Sequence, residues 1–492
     1  MGQRRLLSAL LVLAVITPLF SGCFGSEEEV KEIIEDGPFS FAQPLPMETF
    51  YHFAGGINAL NQSVVDAANI TANLTGNNTP FYANGTYFGI GFTTFEPTLG
   101  ITSTGSMFFT NYRGTGDGTH IIKGTNYGQD WEDVGPFNPI FPTTGQVPSS
   151  NDPYVYVDKW TDRIVKFDMH ALTAMFVEYS DDDGSSWSIP LTAEGYYSTQ
   201  DHQSIASMPD VNGIGFHESI YVFCINTGAS AVGPQCSRSL NGGVTWDIQR
   251  PGYPIGEPQC SGLHGHVAGG SDGSVYRGNP SCEGPAVYRS LDGGYTWTEH
   301  TISTTVGMQD GWHDHEVAVA VDEGGNVHTT WIATDNMPYY AYSRDQGDTW
   351  SEPMMIAAPG VNQTGFPTIF AGDEGRVALG YIGLQGGQSG WNGYMAVLTD
   401  AFNEYPLITS VSVNLFKDPL DNSEDCGNVR CGGFGDFIDI EIDDEGRPWI
   451  ALAHNVRNQE GIVGTFVTGP SLYGDLIQLE VIEAGGNSTL SL

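Results

Sequence analysis

One nine-residue pattern returns along the chain: YSDDDGSSW ending at Trp187, RSLNGGVTW at Trp246, RSLDGGYTW at Trp297 and YSRDQGDTW at Trp350, with KGTNYGQDW at Trp131 as a worn fifth copy. Each of the four full copies sets Asp or Asn, a glycine and a hydroxyl residue ahead of one indole. That is turn chemistry tied to a large ring that needs burial. A repeated unit constrains the fold more than any single motif, because no unit buries its own apolar face and neighbours must stack to do it.

Between the turns lies a second recurring element, an apolar strand that ends in Asp and a Gly-containing turn and is followed by another strand. NDPYVYVDKWTDRIVKFDM, HEVAVAVDEGGNVHTTWIA, FPTIFAGDEGRVALGYIG and FIDIEIDDEGRPWIALAHN show it clearly. EPTLGITSTGSMFFTNYR, DHQSIASMPDVNGIGFHESIYVFC and HVAGGSDGSVYRG bring the set to seven hairpins. Runs of this length, rich in β-branched and aromatic residues and bounded by Gly, Asp and Asn, are strands, so the chain is all-β. Two hairpins per period of about 50 residues is the size of a four-stranded propeller blade. Seven blades are expected, closed by an N-terminal strand pairing with the last sheet. Six remain as the alternative if residues 365–408 or the first hairpin form an insertion. The aspartates before the hairpin turns, Asp158, Asp322, Asp373 and Asp443, are expected to be turn caps.

The pattern S-x-D-x-G-x-T-W resembles the Asp-box, or BNR, repeat of the sialidase superfamily. The matching positions are Ser180, Asp182, Gly184 and Trp187; Ser239, Asn241, Gly243 and Trp246; Ser290, Asp292, Gly294 and Trp297; Ser343, Asp345, Gly347 and Trp350. The resemblance implies a propeller over roughly residues 90 to 470. It also implies that the boxes are structural turns on the face away from any active site. Two departures stand against a sialidase proper. The family has six blades, and the RIP motif that supplies its first arginine is absent.

Residues 1–22 read as an export signal, with Arg4 and Arg5 ahead of an apolar run that ends in FSGC. The ending resembles a lipoprotein signal, which implies lipid attachment at Cys23, with Phe20 where leucine is usual. Residues 23–87 read as an acidic, sequon-rich tether, and residues 88–492 as the propeller. Five N-x-[ST] sequons, at Asn61, Asn69, Asn73, Asn77 and Asn84, crowd the tether. This places the protein outside the cell, anchored to the membrane only through its N-terminus. An oxidising exterior favours disulfides, and sequence neighbours suggest Cys224 with Cys236, Cys260 with Cys282 and Cys426 with Cys431, although six cysteines allow fifteen pairings. The formal charge of −40, from 58 acidic and 18 basic residues, repels nucleic acid and anionic headgroups. A monomer is expected.

In a propeller the inner strands begin at one rim of the central channel and the second strands end there. Those positions hold Glu96, Asp152, His202, His264, His266, the run HDHE from His313 through His315 to Glu316, and Asp436, together with Arg113, Arg277, His454 and Arg457. Three readings follow. The rim binds an extracellular glycan or protein ligand, with the arginines and histidines as contacts. Alternatively the chain is an exo-acting glycoside hydrolase similar to sialidases, in which Arg113, Arg277 and Arg457 grip a substrate carboxylate and Glu96, Asp152, Glu316 or Asp436 moves the proton. As a third possibility, HGH and HDHE place imidazoles two apart on one strand face, where a divalent ion could bind. The sequence assigns no cofactor and no definite metal ligand.

Overall fold

The computed structural model describes residues 49–53, 84–112, 119–137, 152–170, 172, 174–193, 200–227, 233–256, 265–309, 316–404, 406–424, 426, 431–474 and 479. These form seven antiparallel sheets arranged as a seven-bladed β-propeller. Blades 1 to 7 span residues 99–135, 153–192, 200–251, 267–301, 318–355, 361–412 and 439–468. The last is completed from the other end of the chain. Asn84–Thr93 pairs with Glu460–Thr468 as the outermost strand of blade 7, with Tyr87 opposite Gly464, and closes the ring. Thr49–Phe53 adds a fifth strand to blade 6 against Leu407–Ser412. Two stretches of the segment read as tether are therefore paired into sheets.

The core is divided as the repeat requires. Each of the seven junctions between neighbouring blades has its own cluster of buried apolar residues. Ala206, Met208 and Val222 of blade 3 meet Val275 and Ala286 of blade 4, for example, and Ala318 and Tyr340 of blade 5 meet Leu379 and Ala396 of blade 6.

The tryptophan turns seal these junctions from one face. In the turn of blade 4, Ser290 Oγ donates to Asp292 Oδ1 at 2.8 Å and accepts from Gly294 N at 2.9 Å. Asp292 also accepts from Thr296 N at 2.8 Å and Thr296 Oγ1 at 2.7 Å. Blades 2 and 5 repeat the plan around Asp182 and Asp345. In blade 3 the Asn241 oxygen accepts in the same way from Thr245 N, and its amide donates to Thr245 Oγ1 at 2.8 Å. Gly294 needs its freedom twice over: φ is +80°, and a Cβ there would lie 2.7 Å from Val222 Cγ2 of the previous blade. Trp297 is buried between blades 3 and 4, while Trp187, Trp246 and Trp350 are half-buried. Trp246 packs edge-on to Phe223 of its own blade at 5.1 Å and to Phe167 of the previous one at 5.8 Å.

On the same face the hairpin aspartates act as caps that also bridge blades. Asp158 accepts from Thr161 Oγ1 at 2.6 Å within its own turn, and from Ser207 Oγ at 2.6 Å and Tyr221 OH at 2.9 Å in blade 3. Asp322 accepts from Asn326 N at 2.8 Å and from Gly375 N of blade 6 at 2.8 Å.

Candidate functional site

The opposite face is where the inner strands begin. Two of them carry a bulge at that entry, in blade 3 between Asp201 and Ser204 and in blade 6 between Gly365 and Thr368. The bulged His202 and Phe366 take left-handed backbone, with φ of 59° and 54°, and Glu96 does the same ahead of blade 1 at 53°. Each such non-glycine conformation costs about 1 to 3 kcal/mol, which the surrounding packing must offset.

The side chains delivered there converge on Phe437, which is fully buried. The rings of His202 and His266 each stand edge-on to it at 5.1 Å, and Tyr154 closes a third side at 6.3 Å. His202 Nε2 lies 4.0 Å from Glu316 Oε2, and His266 Nδ1 lies 3.4 Å from Asp439 Oδ1. Asp439 Oδ2 accepts from Leu99 N at 2.9 Å. Asp152 Oδ2 accepts from His202 N at 3.3 Å, and the Asp152 carbonyl accepts from Gln203 Nε2 at 2.7 Å. Glu96 Oε1 accepts from Asp436 N at 3.2 Å. Groups from blades 1, 2, 3, 4, 5 and 7 thus meet at one mouth.

Burial sets the electrostatics. Glu96, Asp152, Glu316 and Asp436, the four candidate acids, are 2 to 3 % exposed. Burial pushes the Glu316 carboxyl up to about 8, and the charge of Asp439 adds to the rise while His266 partly offsets it. For His266 burial works downward, but its contact with Asp439 and the further carboxylates Glu316 and Asp152 outweigh it, so the imidazole is raised. The cluster therefore pairs a carboxylic acid that is protonated at neutral pH with an imidazole oriented by a carboxylate, which is acid–base equipment packed beneath an aromatic plug. Below it the channel holds a cavity of about 90 Å³ bordered by Tyr154, Tyr156, Lys159, His266, Asp439 and Glu441.

The arginines expected to form a grip have other partners. Arg277 stands in the strand Val275–Pro280, opposite Val267, the first residue of the inner strand, and Tyr288. Its guanidinium is fully buried, donating to Asn279 Oδ1 at 2.5 Å and Gly252 O at 2.6 Å and lying 4.5 Å from the centre of the Tyr288 ring. Burial lowers it to about 10. Arg457 instead donates to Asp418 Oδ2 at 2.8 Å, where Tyr87 OH also donates at 3.0 Å and His454 Nε2 lies 3.5 Å from the other oxygen. Arg113, His264, His313, His315, Cys23 and Cys260 lie outside the described residues.

Cys224–Cys236 and Cys426–Cys431 are disulfides, and Cys282 is disulfide-bonded. Asp421, Cys426 and Cys431 have ligand spacing, but both sulfurs are taken by their bond to each other. Sequence reasoning missed Phe437 and Asp439. A signal for both was present, because in DFID they follow the flagged Asp436 by one and three residues, and alternation sends Asp439 to the channel side with Glu441.

No protein-family model matches the chain, and no curated protein does. Among solved structures it is similar to the BP39L lectin from Burkholderia pseudomallei, at 13% identity and a TM-score of 0.48 over 76% of this chain and 95% of that one. It is similar also to YCF48 from Cyanidioschyzon merolae, at 12% identity and 0.45 over 77% and 98%. A mutant of NanB sialidase from Streptococcus pneumoniae matches at 13% and 0.41 over 77% and 70%. None of these carries an inference about activity.

Proposed function

We propose that the chain is a surface-anchored propeller that binds an extracellular glycan or protein ligand at the channel mouth, held off the membrane by lipid at Cys23 and an acidic tether. The observation that carries binding over hydrolysis is the fate of the arginines. Of the two described arginines, Arg277 is buried between blade 4 and the end of blade 3 and Arg457 is committed to Asp418, so neither is poised to clamp a substrate carboxylate. The hydrogen-bond plan of the four tryptophan turns supports the Asp-box resemblance, under which Asp182, Asn241, Asp292 and Asp345 are scaffold and the opposite mouth is the place for ligand.

One observation favours the hydrolase reading, the protonated Glu316 carboxyl 4.0 Å from His202. A single experiment separates the two. Purified residues 24–492 are applied to a panel of neutral and acidic glycans, with retention and released sugar both measured. Saturable retention without product is the expected result. Sugar release that Glu316→Gln abolishes would replace it with the hydrolase reading, and neither retention nor release would leave a protein ligand as the remaining class.

A further inference from the structure

Three polar groups at the mouth are left without a hydrogen-bond partner among the described residues. Glu316 Oε2, Gln203 Oε1 and His266 Nε2 are buried atoms that take part in no hydrogen bond. Glu316 is 3% exposed and Gln203 1%, so neither side chain is simply turned to bulk water. Gln203 and His266 are held by their other ends: Gln203 Nε2 donates to Asp152 O at 2.7 Å, and His266 Nδ1 faces Asp439 Oδ1 at 3.4 Å. Glu316 has the approach of His202 Nε2 at 4.0 Å, which is too long for a hydrogen bond.

The backbone brings these groups together. A Cβ on Gly265 would lie 2.0 Å from Val317 O, so the chain just ahead of His266 touches the chain just behind Glu316. Gln203 follows His202, whose ring stands against Phe437 as that of His266 does. Buried polar groups are nearly always paired, and three that are not, in one place, call for a bound group.

Their chemistry selects the kind of group. Gln203 Oε1 can only accept. A carboxyl kept protonated by burial, as at Glu316, both donates and accepts. An imidazole whose Nδ1 faces a carboxylate offers Nε2 as acceptor when neutral and as donor when charged. A hydroxyl, which donates and accepts, satisfies all three, whereas a carboxylate cannot serve Gln203. Charge points the same way. The charges that bear on Glu316 are His266 and Asp439, and those that bear on His266 are Asp439, Glu316 and Asp152. No guanidinium or ammonium is among them, so an entering carboxylate meets other carboxylates and an imidazole already facing Asp439.

We propose that the mouth holds an uncharged sugar residue by its hydroxyls and excludes carboxylated sugars, with Glu316, Gln203 and His266 as the contacts, an assignment that rests on the mouth being the ligand site.

The test is calorimetric titration of the intact chain with the methyl glycosides of galactose, glucose, mannose, fucose and N-acetylglucosamine, and with a methyl glucuronide, a methyl sialoside and a methyl glucosaminide. At least one neutral glycoside is expected to bind saturably and at least about tenfold more tightly than any charged one, with little change between low and high salt. Gln203→Leu and Glu316→Leu are each expected to weaken it about five- to tenfold, with folding checked by circular dichroism. Glu316→Gln keeps an uncharged donor and acceptor and should stay within about threefold. Tighter binding of the glucuronide, the sialoside or the amine would overturn the proposal and leave the mouth a ligand site of another specificity. A tenfold loss in Glu316→Gln, or neutral-sugar binding that neither leucine variant alters, would also overturn it. No saturable binding of any sugar would overturn it together with the glycan reading of the mouth.

Discussion

Glu316 shows how far a residue's role can be read before its surroundings are known. Its place at the rim follows from the start of an inner strand, and its identity as an acid is legible in HDHE. Its protonation is not, because that depends on burial among residues from distant parts of the chain. The carboxyl rises from an ordinary value of 4.5 to about 8 in the folded protein. Between those values the folded state binds more protons than the unfolded one, so this group's contribution makes stability fall as pH rises from about 4.5 to about 8. Glu316→Gln removes that penalty. Calorimetric melting across pH 5 to 8 should show a smaller decline in Tm for the variant than for the parent, with the variant the more stable of the two at the alkaline end. Parallel curves would mean that Glu316 ionises normally. Arg277 marks the opposite limit. Sequence placed it at the rim, and register does set it opposite Val267, the first residue of the inner strand, but its guanidinium is buried against Gly252 and Tyr288, and which way a side chain packs is not legible in spacing.

At the level of the element, the tryptophan turn was the most legible feature of the chain, because its chemistry is local. Ser290, Asp292, Gly294 and Thr296 satisfy one another within seven residues, so composition and spacing alone specify the turn. How much each indole contributes is a tertiary matter. Trp297 is 4% exposed and its three counterparts are half-buried. Trp297→Ala should therefore cost about 3 to 5 kcal/mol in chemical denaturation. Trp187→Ala should cost distinctly less, and Ser290→Ala about 1 kcal/mol from the lost Gly294 and Asp292 contacts. A cost for Trp297→Ala below about 1 kcal/mol would contradict its part in joining blades 3 and 4. The inner-strand bulges at His202 and Phe366 left no comparable signature, since an extra residue in a strand is defined by what pairs opposite it.

For the whole molecule the decisive contact is the one that closes the ring. Tyr87 of the closing strand is buried and donates to Asp418 in the connection between blades 6 and 7. A chain beginning at residue 80 loses the added strand Thr49–Phe53 but keeps Asn84–Thr93, and should still melt cooperatively, at a moderately lower temperature than the parent. One beginning at residue 95 leaves Glu460–Thr468 as an open edge and should lose most of its stability or aggregate, as circular dichroism and size-exclusion chromatography would report. Equal melting of the two would show that closure does not depend on that strand. The period and residue pattern by themselves determined the all-β class, the propeller repeat and the tryptophan turns, because these depend on spacing along the chain, while six blades or seven was left to the structure. Only the tertiary structure decided that Phe437 and Asp439 stand beside His202 and His266, that the candidate acids are buried, and that Arg277 is packed against Gly252 and Tyr288. The physical reason is that burial, ionisation and convergence depend on which side chains meet in space, and in a ring the residues that meet come from blades far apart in sequence.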